Sequence, residues 1–324
     1  MSGNNCTGLH RSVGHEIFLY AKILYAVPSA VLLKFMLVAF ICGKNKRRYT
    51  DIFYKLMQLG IWAAIIVHVP HTITEVISKR DSWFCSVYTA LATPTHWLGP
   101  YIFLYQAADT LRVLTAMSIV LYRMHVIIYE AEAKKLWHHY SPFLLVFLVS
   151  ISAFLYIPVL FAPGYAYVED EEMMFASDNI YSFYDADVIH LAICLSCSVV
   201  ALGSQLYLIF RNEPMDKSSD QTYRGMCMVG LAETFLIPCY AITQSLMFLR
   251  DHLHDSLPSG VGSCLVIFDL LFSDALGFVP PWTLFYASLE VRADAMPFKH
   301  VVGLLKKLPC CKSKQTAATP EISA

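Results

Sequence analysis

The feature that most limits this chain is the return of apolar runs long enough to cross a bilayer. A helix needs about 20 residues to span the hydrocarbon. Seven runs of that order occur in the 324-residue sequence, at 17–43, 52–77, 98–123, 142–162, 188–210, 224–249 and 260–286. Short polar connections separate them, and no internal repeat is visible. Hydrophobic residues make up 56% of the chain and charged residues only 15%, whereas a soluble domain carries about 25% charge. One soluble core is excluded. The pattern predicts an all-α membrane protein, a bundle of seven transmembrane helices over 17–286, with an outer N-terminal segment 1–16 and an inner tail 287–324. A net charge of −1, with no basic patch interleaved with aromatics, gives no case for a nucleic-acid partner.

Lysine and arginine set the orientation, because cytoplasmic loops carry the excess. With the N-terminus outside, the inner segments hold Lys44, Lys46, Arg47, Arg48, Arg123, Lys134, Lys135, Arg211, Lys217, Arg224, Arg292, Lys299, Lys306, Lys307, Lys312 and Lys314. The outer segments hold only Arg11, Lys79, Arg80 and Arg250. The N-terminus is therefore expected outside and the C-terminus inside. Residues 1–16 lack an apolar stretch, so no cleaved leader is expected. Asn5-Cys6-Thr7 is a glycosylation triplet on the outer face, with Asn5 as acceptor. The segment 163–187 gathers Glu169, Asp170, Glu171, Glu172, Asp178, Asp185 and Asp187. It reads as a solvated outer loop, with a second reading as an attractor for cationic ligands.

The ten cysteines do not form a disulfide framework, since Cys42, Cys194, Cys197, Cys227, Cys239 and Cys264 fall in apolar runs. Cys6 and Cys85 fall outside, and their spacing leaves a bridge between them open. Residues 298–308 place Phe298, Val301, Val302, Leu305 and Leu308 on one helical face with lysines towards the other, a pattern for a helix lying in the membrane interface. Cys310 and Cys311 follow at once and are candidate palmitoylation sites in contact with membrane lipid.

Charge inside the apolar runs carries the functional signal. Down the third run, Tyr105, Gln106, Asp109, Arg112, Ala116 and Arg123 share one helical stripe, with aliphatic residues elsewhere. A charge at that depth costs about 3 kcal/mol or more, so the stripe should face the bundle interior. Asp109 and Arg112, three residues apart, can neutralise each other. Either the pair is only structural, or one partner also meets a ligand or a charge on another helix. Lys34, His68, His71, Glu233, Asp269 and Asp274 are the other ionisable candidates, with Glu233 and Asp274 as prospective partners of Arg112. Tyr105, Gln106, Asp109, Arg112, Glu233 and Gln244 are the expected ligand-binding residues. Arg123, at the inner end of the third run, is the expected effector-coupling residue. Prolines at 28, 70, 158, 238, 280 and 281 should kink the helices that hold them.

Several short motifs carry a resemblance. Tyr25-Ala26-Val27-Pro28-Ser29 is similar to a Tyr-x-x-Pro-Ser signature of the first helix in nematode serpentine chemoreceptors of the gamma-type group. Arg123-Met124, Glu130 and Lys135-Leu136-Trp137 resemble that family's third-helix arginine and second inner loop. Phe272-Ser273-Asp274, Pro280-Pro281-Trp282 and Val291-Arg292 resemble its seventh-helix ending. The resemblance runs from about residue 17 to 295 and implies a plasma-membrane receptor of sensory neurons. It also implies a small-molecule ligand and signalling through a heterotrimeric G protein. Three features depart from the broader rhodopsin-like pattern. Tyr122 stands where that class has an acid before the arginine, the seventh run lacks Asn-Pro-x-x-Tyr, and 163–187 holds no cysteine.

Two other classes compete. A transporter or ligand-gated channel could line an ion path with Asp109, Arg112, Glu233 and Asp274, but the odd run count and the lack of an inverted repeat weigh against it. A seven-helix zinc hydrolase would draw on His68, His71, Asp187 and His190, which scatter over opposite membrane edges rather than forming a ligand set. No cofactor, metal or catalysis is expected.

Overall fold

The computed structural model describes residues 13–43, 45–77, 95–169, 172–177, 180–211, 221–252 and 261–295. Helix α1 spans Val13–Cys42 and a 3-10 turn Lys46–Thr50 leads into α2, Ile52–Ile77. Helix α3 spans Leu98–Phe154, followed by a one-turn helix α4, Ile157–Leu160. Strands β1 (Gly164–Glu169) and β2 (Glu172–Ser177) precede α5, Ile180–Phe210. Helices α6 (Gln221–His252), α7 (Val261–Ala287) and the short α8 (Leu289–Ala295) complete the order.

Among the described residues, five stretches are long and apolar enough to cross a membrane, namely Tyr20–Cys42, Leu98–Phe154, Asp185–Phe210, Tyr223–Arg250 and Cys264–Ala287. Helix α2 adds a shorter apolar stretch, Ile52–His68. Their outward faces are bare hydrocarbon: Leu24 is 77% exposed, Phe143 73%, Val199 72% and Phe210 85%. A surface of that kind requires lipid. The protein is a multi-pass membrane protein. Several serines and threonines within these helices close on the backbone of the preceding turn, as Ser152 does on Leu148 O at 2.7 Å and Thr234 on Gly230 O at 2.7 Å, which removes their need for water.

Helix α3 is too long for one pass, and it does not run straight. Its backbone leaves helical geometry at Tyr129 (φ −126°, ψ 23°). On a straight helix Tyr122 and Trp137 would lie about 22 Å apart. Their rings are instead 5.4 Å apart, edge to face, and the Trp137 indole N–H donates to His125 Nδ1 at 3.0 Å. Tyr122 and Ser141 also both reach the start of α2, through Asp51 at 3.0 Å and Lys55 at 3.4 Å. The helix therefore doubles back at Tyr129 into two antiparallel arms, 98–128 and 130–154. Residues 124–141, expected as an inner loop, are helical on both sides of that break. The second arm stops at Phe154 rather than continuing to 162, because Pro158 offers no N–H to the Phe154 carbonyl.

Contacts between distant residues fix the direction of each segment. Helix α2 runs against α1, since Phe40 meets Tyr54 (5.6 Å between rings) while Lys22 and His68 share Asp274. The first arm of α3 runs against α2, because Arg112 meets His68 and Tyr122 meets Asp51. Helix α5 lies parallel to that arm, with Thr110 on His190 and Arg123 on Gln205. Helix α6 opposes it, with Tyr240 on Asp109 and Gly230 against Arg123. Helix α7 opposes α6, with Gln244 on Asp269 and Gly225 against Leu284. Finally α7 lies parallel to α1: Tyr25 bonds Asp274 and Ser29 accepts from Trp282 at 2.9 Å.

The hairpin β1–β2 departs from the all-α expectation. Gly164 pairs with Ser177 and Glu169 with Glu172, antiparallel, and Gly164 exchanges backbone bonds with Thr95 at 2.7 and 2.9 Å. The acids of this segment suggest a solvated loop, yet Tyr165, Tyr167, Val168 and Phe175 are strand formers. The expected Asn5 acceptor, the Cys6–Cys85 bridge, the 298–308 helix and Cys310 and Cys311 lie outside the described residues, as does the side chain of His71.

Helix α8 is clasped to the α1–α2 turn. Val291 and Ala295 are buried, and Asp294 accepts from Tyr49 Oη at 2.7 Å and Asn45 Nδ2 at 2.9 Å. Burial first, and then the Asp294 carboxylate, hold the Tyr49 phenol well above its ordinary range, so it remains a donor. Asp294→Ala should cost about 1.5–3 kcal/mol and Tyr49→Phe less, as hydrogen bonds to a charged group are lost. Thermal unfolding in nanodiscs checks both, with Asp294→Ala expected to melt lower.

Candidate functional site

Asp109 and Arg112 occupy successive turns of α3 and are 4% and 2% exposed. The Asp109 Oδ1 accepts from Arg112 Nη2 within the helix. Neither group is content with that bond. Arg112 also donates to the Ser273 carbonyl at 2.6 Å and to Ser273 Oγ at 3.0 Å on α7, and its guanidinium lies 5.4 Å from the centre of the Tyr240 ring. Asp109 Oδ2 accepts from Tyr240 Oη on α6 at 2.5 Å and lies 3.2 Å from His190 Nε2 on α5. One helical turn thus ties α3 to α5, α6 and α7.

The contacts extend on both sides. Arg112 Nη1 lies 3.2 Å from His68 Nε2, and His68 Nδ1 lies 2.7 Å from Asp274 Oδ1. A guanidinium can only donate, so Nε2 accepts and the His68 proton sits on Nδ1, facing the carboxylate. Asp274 then takes Tyr25 Oη at 2.5 Å and Lys22 Nζ at 3.7 Å, both from α1. On the other side His190 Nδ1 meets Thr110 Oγ1 at 2.9 Å, and Thr110 meets Tyr156 Oη at 2.6 Å. His190 Nε2–H donates to Asp109, and the Thr110 hydroxyl closes this branch between His190 Nδ1 and Tyr156. The relay runs through α1, α7, α2, α3, α6 and α5 and ends just after the second arm of α3. It balances the carboxylates Asp109 and Asp274 against the cations Arg112 and Lys22.

Glycine makes one step of this chain fit. A Cβ on Gly277 would lie 2.4 Å from His68 Nε2, so only glycine lets α7 approach while His68 reaches Arg112. Any side chain there would drive the imidazole off its partner.

The residues expected from the sequence separate into layers. Asp109 and Arg112 stand at the centre of the relay. Glu233 is buried at 3% but makes no direct bond to Arg112, and Asp274 reaches Arg112 only through His68. One turn farther from Arg123, Gln106 donates to Asp187 on α5 at 3.0 Å, and Gln244 donates to Asp269 on α7 at 2.8 Å. Tyr105 is half-buried beside this layer, and Gln106 Oε1 is buried without a hydrogen-bond partner. Lys34, an expected interior charge, is exposed on the lipid side of α1. Sequence reasoning missed Lys22, Tyr240, Thr110 and Ser273. It weighed His190 only as a metal ligand.

At the end of the bundle opposite Gln106, Arg123 is 1% exposed, donates to Gln205 Oε1 on α5 at 3.0 Å, and packs against α6. A Cβ on Gly230 would meet Arg123 Cδ at 2.5 Å and Cβ at 3.1 Å. A groove of about 900 Å³ opens between α1, α6 and α7, walled by Tyr25, Asp274, Phe278 and Trp282 with Arg224 at its rim. None of the six expected ligand residues lines it.

Residues 19–295 match the Srg family chemoreceptor profile. The chain belongs to the Srg family. The match runs from within α1 to the end of α8, and the family is one of serpentine chemoreceptors, not of enzymes. No curated protein matches the chain. In this Srg chemoreceptor the motifs that carried the resemblance meet in space, because Tyr25 and Ser29 of α1 bond Asp274 and Trp282 of α7.

Removing one member of a buried ion pair costs about 3–5 kcal/mol, because its partner is left charged in a dry site. Asp109→Asn should destabilise by that order. The double variant Asp109→Asn/Arg112→Gln should recover part of the loss. A double-mutant cycle on the thermal stability of purified protein checks the coupling, and simple additivity would mean the two groups act independently.

Proposed function

We propose that the chain crosses the plasma membrane seven times, N-terminus outside and C-terminus inside. In this reading it is a chemosensory receptor of the nematode gamma-type group that passes a small-molecule signal to a heterotrimeric G protein. The alternating directions of α1, α2, the two arms of α3, α5, α6 and α7 support seven passes. The lysine and arginine bias supports the orientation. On that topology Asn5 is an outer glycosylation acceptor, and Cys310 and Cys311 are inner palmitoylation sites. Tags at the two ends check it: an N-terminal tag reached by antibody only after permeabilisation overturns the orientation.

The ligand site of this reading is the Asp109–Arg112 pair with Tyr105, Gln106 and Gln244 one turn outward of it and Glu233 on its inner side. The observation that carries it is the buried Gln106 Oε1 without a hydrogen-bond partner, on an amide whose Nε2 donates to Asp187, with Gln244 likewise held by Asp269. Acceptors gathered in this way favour a ligand that presents a hydrogen-bond donor or a cationic group. A ligand that competes for Asp109 or Tyr240 loosens α6 from α3 and favours whichever arrangement binds it better. The effector end of this reading is Arg123, enclosed between Gln205 and Gly230 until α6 moves.

Expression with a promiscuous G protein and a panel of small odorants tests the reading. Gln106→Leu should weaken the response to amine-bearing ligands about tenfold, the scale of one lost hydrogen bond of 1.4 kcal/mol, without lowering surface display. Gly230→Val should push Arg123 off α6 and raise signalling without ligand. Unchanged basal signalling from a normally displayed Gly230→Val would remove Arg123 from the effector role.

A further inference from the structure

A second, much smaller cavity lies deeper in the bundle than the ligand layer. It has a volume of about 20 Å³ and is shared by α2, α3, α6 and α7. Three of its walls are polar side chains that are almost wholly buried: Arg112 (2% exposed), Thr115 (1%) and Glu233 (3%). Each brings an atom without a hydrogen-bond partner, namely Arg112 Nε, Thr115 Oγ1 and Glu233 Oε2. Buried polar atoms are almost always satisfied, and the exceptions require a reason. Here the orphaned atoms come from three residues that line one void.

We propose that this cavity is a water-binding site, occupied by a single molecule that bridges Arg112, Thr115 and Glu233. The volume fits, since one water needs about 10–15 Å³ and two to four polar partners. The hydrogen bonds balance as well. Arg112 Nε–H donates to the water, the water donates to Glu233 Oε2, and Thr115 Oγ1 takes either role with the remaining lone pair or proton. The charges discriminate against an ion. A cation would lie against the Arg112 guanidinium and an anion against the Glu233 carboxyl, whereas a neutral donor–acceptor suits both.

Helix α7 adds further acceptors at the same place. Pro280 and Pro281 have no N–H to offer the carbonyls four residues earlier, which belong to Leu276 and Gly277. All four of these residues line the cavity. The proline pair of α7, the buried acid of α6 and the central arginine of α3 thus converge on one solvent molecule. With it in place, every N–H-bearing nitrogen of Arg112 is engaged: Nη1 and Nη2 by Ser273, His68 and Asp109, and Nε by the water. The water links α6 to the relay at a point where no direct protein–protein bond does so.

Met57 also lines the cavity and is 3% exposed, while Met36 is 0% exposed in the same apolar core. This gives an internal control. X-ray radiolysis converts bound water to hydroxyl radical, which oxidises methionine. In full-length protein held in nanodiscs, Met57 should be oxidised several-fold faster than Met36. Glu233→Leu, or Thr115→Val if the first variant fails to fold, should bring Met57 down towards the rate of Met36. Equal labelling of Met57 and Met36 in the unmodified protein means a dry cavity and overturns the proposal. So does a fast Met57 whose rate is untouched in a folded variant, because the radical would then arise elsewhere.

Discussion

A carboxylate and a guanidinium on adjacent turns of one buried helix set the terms for everything around them. Asp109 and Arg112 are shut off from bulk water, and a single mutual bond leaves most of their hydrogen-bonding capacity unused. Each neighbouring segment supplies a polar group: Ser273 and Asp274 from α7, His68 from α2, Tyr240 from α6 and His190 from α5. Apolar packing alone would allow helices with so much aliphatic surface to slide and rotate. The relay gives the bundle one register, because a slip of any member strands a charge in hydrocarbon.

Much of this was readable from the sequence, and the reason is periodicity. A stripe of polar residues at helical spacing in an apolar run has to face inward, so the interior position of Asp109, Arg112 and Arg123 followed from 3.6 residues per turn. The partners did not follow. Tyr240 is one tyrosine in an apolar run and looks like core filler, until α6 lies against α3 and its hydroxyl meets Asp109. His68 finds Arg112 only because Gly277 leaves it room, and a glycine in α7 does not announce which neighbour it admits. Lys22 escaped notice because it falls near the start of a long run, where a lysine reads as an interfacial anchor. The hairpin β1–β2 is hidden for the opposite reason: its acids point to solvent and mask the alternating Tyr165 and Tyr167 that precede them.

The sequence motifs that suggested the family acquire a physical meaning from the packing of α1 on α7. Tyr25 and Ser29 are one turn apart on α1, and they meet Asp274 and Trp282, two turns apart on α7. Each motif is short and unremarkable by itself. Together they join the first and last long helices side by side, which closes the ring of segments around the relay.

The reversal at Tyr129 has a consequence for how this protein can vary. The turn consumes one residue, and helix continues on either side, so the connection has no slack. Each inserted or deleted residue would rotate the second arm by about 100° and shift it by about 1.5 Å. Trp137 would then swing away from Tyr122 and His125, and Ser141 away from Lys55. A surface that resembles a permissive cytoplasmic loop is therefore length-locked, free to change its side chains but not its residue count.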